Sequence, residues 1–268
     1  MYSREVPEFV LSFPFMRRGD RNRGVCAMTV RRIGTLKDAL RRLADACVAA
    51  ALPGGASLFP ILARVDGYLF PHEAAFLFEL ARSGPGDGAI VEIGSYRGRS
   101  TLCLAIGVKG HRATRIAAVD PHVYRTEDHL RENLAHFGVG TIVQPIVTSS
   151  VAAAGAWTGP VRVVFVDGHH EQASVEADVD AWLPFLTPGG FLVLHDSTDL
   201  SSFPGPALVA KARLRVGPLF DAVGTLGGMT WARRVGGTNP WTPRTHGARG
   251  LDAALRLAKT WRRRRSRA

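Results

Sequence analysis

The strongest constraint on the fold is a regular alternation, from residue 88 onward, between short apolar runs and amphipathic stretches. The apolar runs are rich in valine, isoleucine and leucine, which is typical of strands buried on both faces. They cover residues 89–93, 115–119, 141–146, 161–166 and 191–194. The stretches between them have helical spacing and cover residues 98–107, 126–136, 150–156 and 172–185. Strands that alternate with helices predict a parallel sheet with helices on both faces.

The last two apolar runs are arranged differently. After a further helical pattern near residues 206–216, the runs 219–225 and 229–235 are separated only by Leu226-Gly227-Gly228. A link this short cannot form a crossover, so the two strands must pair antiparallel. The predicted fold class is therefore α/β, a Rossmann-like doubly wound sheet that is mostly parallel and ends in a reversed C-terminal hairpin.

The N-terminal part of the chain, before Pro71, lacks this alternation. Residues 1–35 mix Arg, Gly and Pro without a sustained period, and Met28 is a second candidate start. Residues 36–51 have helical spacing, and a second helix is predicted from Pro71, because proline favours the first helical turn. We divide the chain into a flexible basic N-terminal extension, an N-terminal helical cap, the α/β domain and a basic tail: residues 1–35, 36–70, 71–236 and 237–268.

The formal net charge of +11 lies at the two ends of the chain. Residues 1–35 carry +4 and residues 233–268 carry +10, whereas residues 36–232 carry −3. A basic tail suits a polyanion or an anionic membrane, but it does not define an active site. Because the part that contains the sheet is slightly acidic, we expect no specific nucleic-acid partner.

The C-terminal end of the chain, from Leu251 onward, has the spacing of a short amphipathic helix. Leu251, Leu255 and Trp261 share one face, and residues 262–265 are all arginine. This pattern is typical of a solvated helix or a disordered end, and a peripheral contact with the inner face of a membrane is the alternative. No apolar run reaches the ~18 residues of a membrane-spanning helix, and the three cysteines show no paired spacing. The sequence therefore predicts a cytoplasmic protein.

A glycine-containing loop follows the first strand of the predicted sheet: Glu92-Ile-Gly94-Ser95-Tyr-Arg-Gly98-Arg-Ser100. The glycines allow a sharp turn into the next helix. The loop lacks the G-x-G-x-x-G pattern of dinucleotide sites, and the carboxylate before Gly94 would repel a pyrophosphate. It suits a cationic ligand such as S-adenosylmethionine (SAM), although a tight turn without a ligand would have the same pattern.

Two further strand ends carry polar side chains that an adenosine could use. Asp120 ends the second strand, the position at which a ribose would present its two hydroxyls. Ser149 opens the helix after the third strand, either as a helix N-cap or as a contact to the adenine edge.

The fourth and fifth strands of the predicted sheet both end in ionisable residues. Asp167-Gly-His169-His170 follows the fourth strand, and the fifth strand ends at His195-Asp196 after a Leu-Thr-Pro-Gly-Gly turn. Open α/β sheets bind ligands at the carboxyl edge of their strands, where these side chains would meet. Two adjacent strand ends of this kind predict a catalytic site rather than two helix caps.

With these motifs, residues 71–235 resemble a class I SAM-dependent methyltransferase. The resemblance is strongest to a family whose fourth strand ends in Asp-Gly-x-His and whose fifth strand follows Leu-x-Pro-Gly-Gly and ends in His-Asp. That family includes sugar O-methyltransferases that act on rhamnosyl and macrolide-linked sugars. The resemblance covers more than half of the chain and implies a SAM cofactor.

The resemblance also implies roles for individual residues. Asp167 and His170 would be catalytic, with His170 as the general base, because an imidazole can remove a hydroxyl proton near neutral pH. Asp167 and Asp196 would bind Mg²⁺ or another divalent cation, with His195 beside them, and an imidazole at this position favours a transition metal over Mg²⁺. The residues expected to contact SAM are Glu92, Gly94, Ser95, Gly98, Ser100, Asp120, Ser149 and Asp167.

The predicted function is SAM-dependent transfer of a methyl group to a hydroxyl of a small-molecule, glycosyl or glycolipid acceptor. Three alternatives remain: a nicotinamide oxidoreductase, a nucleic-acid methyltransferase and a non-catalytic SAM-binding relative. The carboxylate before Gly94 counts against the first, and Asp-Gly-His-His in place of an Asn/Asp-Pro-Pro-aromatic run counts against the second. The sequence does not identify the acceptor and leaves the oligomeric state open, a homodimer being one option.

Overall fold

The computed structural model describes residues 9–15, 24–30, 45–46, 54–110, 114–216 and 218–237. The helix predicted for residues 36–51 lies outside them apart from residues 45–46, which are helical. The basic tail beyond residue 237, with its predicted amphipathic helix, also lies outside the described residues.

The N-terminal segment contains two paired strands. β1 (Phe9–Phe15) and β2 (Gly24–Val30) form a two-stranded antiparallel sheet, in which Phe9 pairs with Val30 and Phe15 with Gly24. This differs from the flexible extension predicted for residues 1–35. The reason lies in the segments themselves, which are rich in aromatic and β-branched residues that favour strands, although the segment as a whole has no sustained period.

Within residues 54–110, two helices precede the first strand of the main sheet, α1 (Gly55–Arg64) and α2 (Pro71–Ser83). α2 agrees with the helix predicted from Pro71. α1 falls within the predicted cap, at a position where no helix was predicted. Gly54, with φ of 75°, lies at the N-cap of α1. Its φ is positive, a conformation that glycine adopts readily.

The main sheet has seven strands in the order β5-β4-β3-β6-β7-β9-β8. The first five of these are parallel, whereas β9 is antiparallel to both β7 and β8. The fold class predicted from the alternation and from the short C-terminal link is confirmed. The strand bounds are β3 (Ala89–Ile93), β4 (Ile116–Val119), β5 (Val143–Ile146), β6 (Val161–Val166), β7 (Leu186–Leu194), β8 (Phe220–Leu226) and β9 (Met229–Arg234).

The strand bounds agree closely with the predicted ones except at β7. This strand begins at Leu186, whereas the prediction began at residue 191. The Pro188-Gly189-Gly190 segment, interpreted as a turn, continues the strand through an irregularity, because the pairing register with β6 shifts between Val161 and Val163. A bulge of this kind accommodates residues that a regular ladder would exclude.

Helices cover both faces of the sheet. They are α3 (Arg99–Val108), α4 (Glu127–His136), α5 (Ser150–Gly155), α6 (Gln172–Trp182) and α7 (Pro204–Val209). Neighbouring residues of one strand point to opposite faces, so Ile90 packs with α1–α4 and Val91 with α5–α7. None of the described helices combines the length and the hydropathy that a membrane crossing requires.

The strand order reverses between β3 and β6, because β4 and β5 lie on one side and β7 on the other. A crevice forms at such a reversal, outside the carboxyl ends of the strands. The ends of β3, β4, β6 and β7 carry the side chains singled out above, so the fold brings them to one edge.

Candidate active site

The loop after β3 turns on two glycines whose role is structural. Gly94 and Gly98 both have φ of 88°. A Cβ on Gly94 would lie 2.1 Å from the carbonyl oxygen of Asp167, and one on Gly98 would lie 2.6 Å from Cδ1 of Leu130. The space a side chain would need is therefore filled by the protein itself.

Glu92 presents a buried carboxylate beneath this loop. Its side chain is fully buried, the hydroxyl of Thr101 donates to Oε2, and Oε1 has no partner at hydrogen-bond geometry. Burial raises the pKa of Glu92 to about 8, although the hydroxyls of Ser100 and Thr101 counter it. A buried carboxylate with a free oxygen is suited to a cationic ligand, which would restore its charge. The Ser95 hydroxyl in the same loop is also buried without a partner.

Asp120 joins the loops that follow β3 and β4. Its Oδ2 accepts a hydrogen bond from the Tyr96 N–H at 2.8 Å, and its Oδ1 accepts one from the His122 N–H at 2.6 Å. α4 begins only at Glu127, so Asp120 is not the N-cap that a lone aspartate at a strand end usually is. It holds two loop backbones at the position predicted for a ribose.

His122 belongs to this region, although no motif pointed to it with any strength. It is 7% exposed, its Nδ1 lies 2.9 Å from the Thr126 hydroxyl, and its Nε2 is buried without a partner. Among the described residues, four non-glycine residues have positive φ: Tyr96, His122, Arg125 and Asp196. All four follow strand ends at this edge, and such uncommon conformations concentrate at functional sites.

Ser149 serves as an N-cap, one of its two predicted roles. Its hydroxyl accepts a hydrogen bond from the Ala152 N–H at 3.3 Å at the start of α5, and its side chain is exposed. The neighbouring Ser150 is buried and accepts a hydrogen bond from the Trp182 indole at 2.9 Å.

Three side chains from the ends of β6 and β7 form one cluster. The donor atoms of Asp167, His170 and Asp196 lie within 4.8 Å of one another. Nε2 of His170 is 3.3 Å from Oδ2 of Asp196. The His170 ring is partly exposed and lies 4.6 Å from the ring of Phe203. An imidazole and two carboxylates in this arrangement can accept a proton or hold a divalent cation.

His195 occupies a different place from the one predicted for it. It is 4% exposed, and its Nδ1 lies 3.1 Å from Oδ1 of Asp167 and 3.3 Å from Oδ2 of Asp196. Its Nε2 lies 3.3 Å from Oε2 of Glu73 in α2. Burial by itself would lower the pKa of His195, but these three carboxylates, Asp167 first, raise it far above its ordinary value.

Three carboxylates around the ring favour its protonated form, which has no free lone pair for a metal. In the structure His170, rather than His195, is the imidazole grouped with Asp167 and Asp196. Burial would raise the pKa of Asp196, but the hydrogen bond and charge of His195 hold it below its usual range.

A depression of about 750 Å³ lies at the opposite edge of the sheet, where β3 and β4 begin. Its lining includes Asp87, Arg115 and Trp157 and shares no residue with the cluster. A smaller cavity at the carboxyl edge is lined by Asp167, His170 and other residues of the β6 and β7 ends. The cluster of Asp167, His170 and Asp196 and the larger depression therefore lie at opposite edges of the sheet.

A comparison with protein families finds a match over part of this chain. Residues 91–197 match the model of a family described as a methyltransferase domain. This interval contains every residue predicted to bind cofactor or metal or to act in catalysis. The match agrees with the predicted enzyme class, whereas the sugar-specific subfamily stays a prediction.

A curated relative matches part of the chain. The uncharacterized protein R132 of Acanthamoeba polyphaga mimivirus is 26% identical over 120 residues, which are 42% of this chain and 53% of that protein. The chain thus spans about half the length of the curated relative it matches.

Solved structures resemble this chain over most of its length. An O-methyltransferase from Bacillus cereus in complex with SAH has a TM-score of 0.56 at 18% identity and covers 71% of this chain and 97% of its own. The O-methyltransferase TomG from Streptomyces achromogenes, in complex with SAM, has a TM-score of 0.53 at 20% identity and covers 73% of this chain and 90% of its own. At these identities the likeness shows the fold, and it agrees with the predicted class I methyltransferase architecture.

Proposed function

We propose that this chain is a SAM-dependent O-methyltransferase that methylates a hydroxyl of a small-molecule or glycosyl acceptor. The observation that carries the proposal is the cluster of Asp167, His170 and Asp196, which lies beside the loop that covers the buried carboxylate of Glu92. The likeness to two O-methyltransferases solved with SAM or SAH supports it.

The residues after β3 and β4 fit SAM. Glu92 and Ser95 each offer a buried polar atom without a partner, and the sulfonium and ammonium groups of SAM are the cations that such a carboxylate would favour. Asp120 is held by two backbone N–H groups and would take the ribose hydroxyls. When bound, SAM supplies an electrophilic methyl group.

His170 would remove the proton of the acceptor hydroxyl. Asp196 contacts its Nε2 and fixes the ring, which leaves Nδ1 to accept the proton. The ring is partly exposed, so an acceptor can reach it from solvent. Holding the hydroxyl between this imidazole and the methyl donor supplies the orientation that the reaction requires.

A divalent cation would use the same side chains in a different way. Asp167, Asp196 and His170 provide two carboxylates and one imidazole, a donor set that suits Mn²⁺ or another transition metal better than Mg²⁺. The cation would lower the pKa of the acceptor hydroxyl, and His170 would then be a ligand rather than a base. The two modes predict different responses to a chelator.

The proposal is tested first by binding and transfer. We expect calorimetry to detect binding of SAM and SAH, and labelled SAM to methylate p-nitrophenyl rhamnoside, a sugar probe, or catechol, a phenol probe. His170→Ala should lower transfer by about a hundredfold or more while SAM affinity is kept, and exposed His129→Ala is the control. Absence of binding to either nucleoside would contradict the proposal, and unchanged transfer in His170→Ala would remove His170 from the mechanism.

The metal is tested with EDTA. If His170 is the base, activity persists in the chelator. Loss of activity that Mn²⁺ restores would instead place His170, Asp167 and Asp196 around a cation.

A further inference from the structure

Glu73 is an unusual residue in the first turn of α2. An acidic residue at this point of a helix normally caps the backbone at the surface. The side chain of Glu73 is instead 0% exposed. A charge at such a depth is costly unless partners satisfy it, so its contacts indicate what it does.

Three elements meet at this carboxylate. Oε2 accepts a hydrogen bond from the Phe70 N–H at 2.8 Å, at the start of its own helix. Oε1 accepts one from the Gly228 N–H at 2.7 Å, in the turn between β8 and β9. Oε2 also lies 3.3 Å from Nε2 of His195, at the end of β7. A Cβ on Gly227 would lie 2.5 Å from Oε1, so the hairpin turn packs directly on Glu73.

The other side of the His195 ring faces the catalytic cluster. Nδ1 lies at ion-pair distance from both carboxylates, 3.1 Å from Oδ1 of Asp167 and 3.3 Å from Oδ2 of Asp196, although neither contact has hydrogen-bond geometry. The ring of Phe165 lies edge-on to the imidazole of His195, with the ring centroids 6.1 Å apart, and limits its movement on that side. An imidazole has two nitrogens at fixed angles, so a carboxylate on Nε2 determines where Nδ1 points.

We propose that Glu73 is a positioning residue that holds the His195 ring so that Nδ1 faces the carboxylates of Asp167 and Asp196 at ion-pair distance. Through Asp196 it also sets the orientation of His170, which that carboxylate contacts at 3.3 Å. The effect on methyl transfer rests on the proposed function, whereas the hold on His195 does not. Glu73 itself lies behind His195 and need not touch substrate.

The kinetic test is Glu73→Gln, which is nearly isosteric and keeps an oxygen for one of the backbone N–H groups. We expect kcat to fall by about ten- to a hundredfold, with the KM for the methylated probe and the SAH affinity within about twofold. Glu79→Gln, on the same helix and paired with Arg82 near the surface, is the matched control. Unchanged kcat would overturn the proposal, as would equal losses of kcat, SAH affinity and thermal stability, which would show a general support of the fold.

A spectroscopic test needs no acceptor, and its first measurement needs no variant. In the wild type we expect a slowly exchanging Nε2–H signal for His195 in ¹⁵N-labelled protein. Glu73→Gln should shift the ring signals of His195 and His170 and leave those of exposed His129 unchanged. Absence of the slow proton in the wild type would overturn the proposal. If the protein binds no SAM but shows these signals, the proposed function is wrong and the role of Glu73 still stands.

Discussion

At the residue scale, Glu92 links cofactor binding to pH. Burial raises its pKa to about 8 from an ordinary value of 4.5, so at neutral pH most unliganded molecules carry a proton on this group. A bound cation favours the ionised form and expels that proton. We therefore expect SAM affinity to rise with pH by up to about tenfold per unit and to level off above pH 8.

Calorimetry at pH 6, 7 and 8 in buffers with different ionisation heats measures this proton release. Glu92→Gln should remove the release and the pH dependence together. A wild-type affinity that does not change across this range would contradict the assignment of Glu92 to the cationic end of the ligand.

The same carboxyl makes the unliganded protein less stable as pH rises. A raised pKa means that the folded state binds the proton more tightly than the unfolded state does. Stability from this group is fully present below about pH 4.5 and is lost progressively as pH rises towards 8. The unfolding temperature of Glu92→Gln should therefore fall less than that of the wild type between pH 5 and 8, as differential scanning fluorimetry would show.

At the element scale, the packing of the β3 loop against the end of β6 depends on Gly94. A Cβ there would lie 2.1 Å from the Asp167 carbonyl oxygen, at a φ of 88°. We expect Gly94→Ala to separate the two strand ends and to lower SAM affinity by more than about tenfold, since Ala at positive φ is itself strained. Gly159→Ala, with φ of 105° and open space around it, is the control. Equal SAM affinity in the two variants would contradict the steric argument.

A second element-scale interaction connects β6 with α2. Arg162 is fully buried, and its guanidinium donates hydrogen bonds to the carbonyl oxygens of Leu80 and Ala81 at the end of the helix. We expect Arg162→Met to lower the free energy of unfolding by about 2–3 kcal/mol, because carbonyl groups lose a charged donor. Urea denaturation measures the change. Arg213→Met, which removes an exposed ion pair with Asp180, is the control and should lower the free energy of unfolding by about 0.5 kcal/mol or less. Similar losses of stability in the two variants would contradict this prediction.

At the scale of the whole molecule, the positive charge lies outside the part of the chain that contains the candidate active site. Residues 36–232 carry −3, whereas residues 233–268 carry +10. We propose that the basic tail binds anionic membranes, which would bring the domain to a lipid-linked or glycolipid acceptor.

Co-sedimentation tests this for the full chain and for a chain that ends at residue 247. With vesicles of phosphatidylglycerol we expect only the full chain to sediment, and added salt should weaken the binding. Vesicles of phosphatidylcholine are the control. Equal partitioning of the two chains would refute a role for the tail.

Local sequence pattern is enough to predict the layers of this fold and the edge of the sheet at which the candidate site lies. Apolar strands such as residues 89–93 and 161–166 must be covered on both faces, and the short Leu226-Gly227-Gly228 link permits only a hairpin. Polar residues that follow parallel strands must meet at one edge, so the proximity of Asp167 and Asp196 follows from local pattern and chain direction.

Which side chains touch at that edge depends on the tertiary structure. Glu73 and His195 are 122 residues apart, and no periodicity links an acid in a helix to a strand end so far along the chain. The sequence pattern predicts a metal ligand at His195, whereas in the structure three carboxylates from three elements surround its ring and raise its pKa. The pKa of a buried imidazole depends on its neighbours in space rather than in sequence.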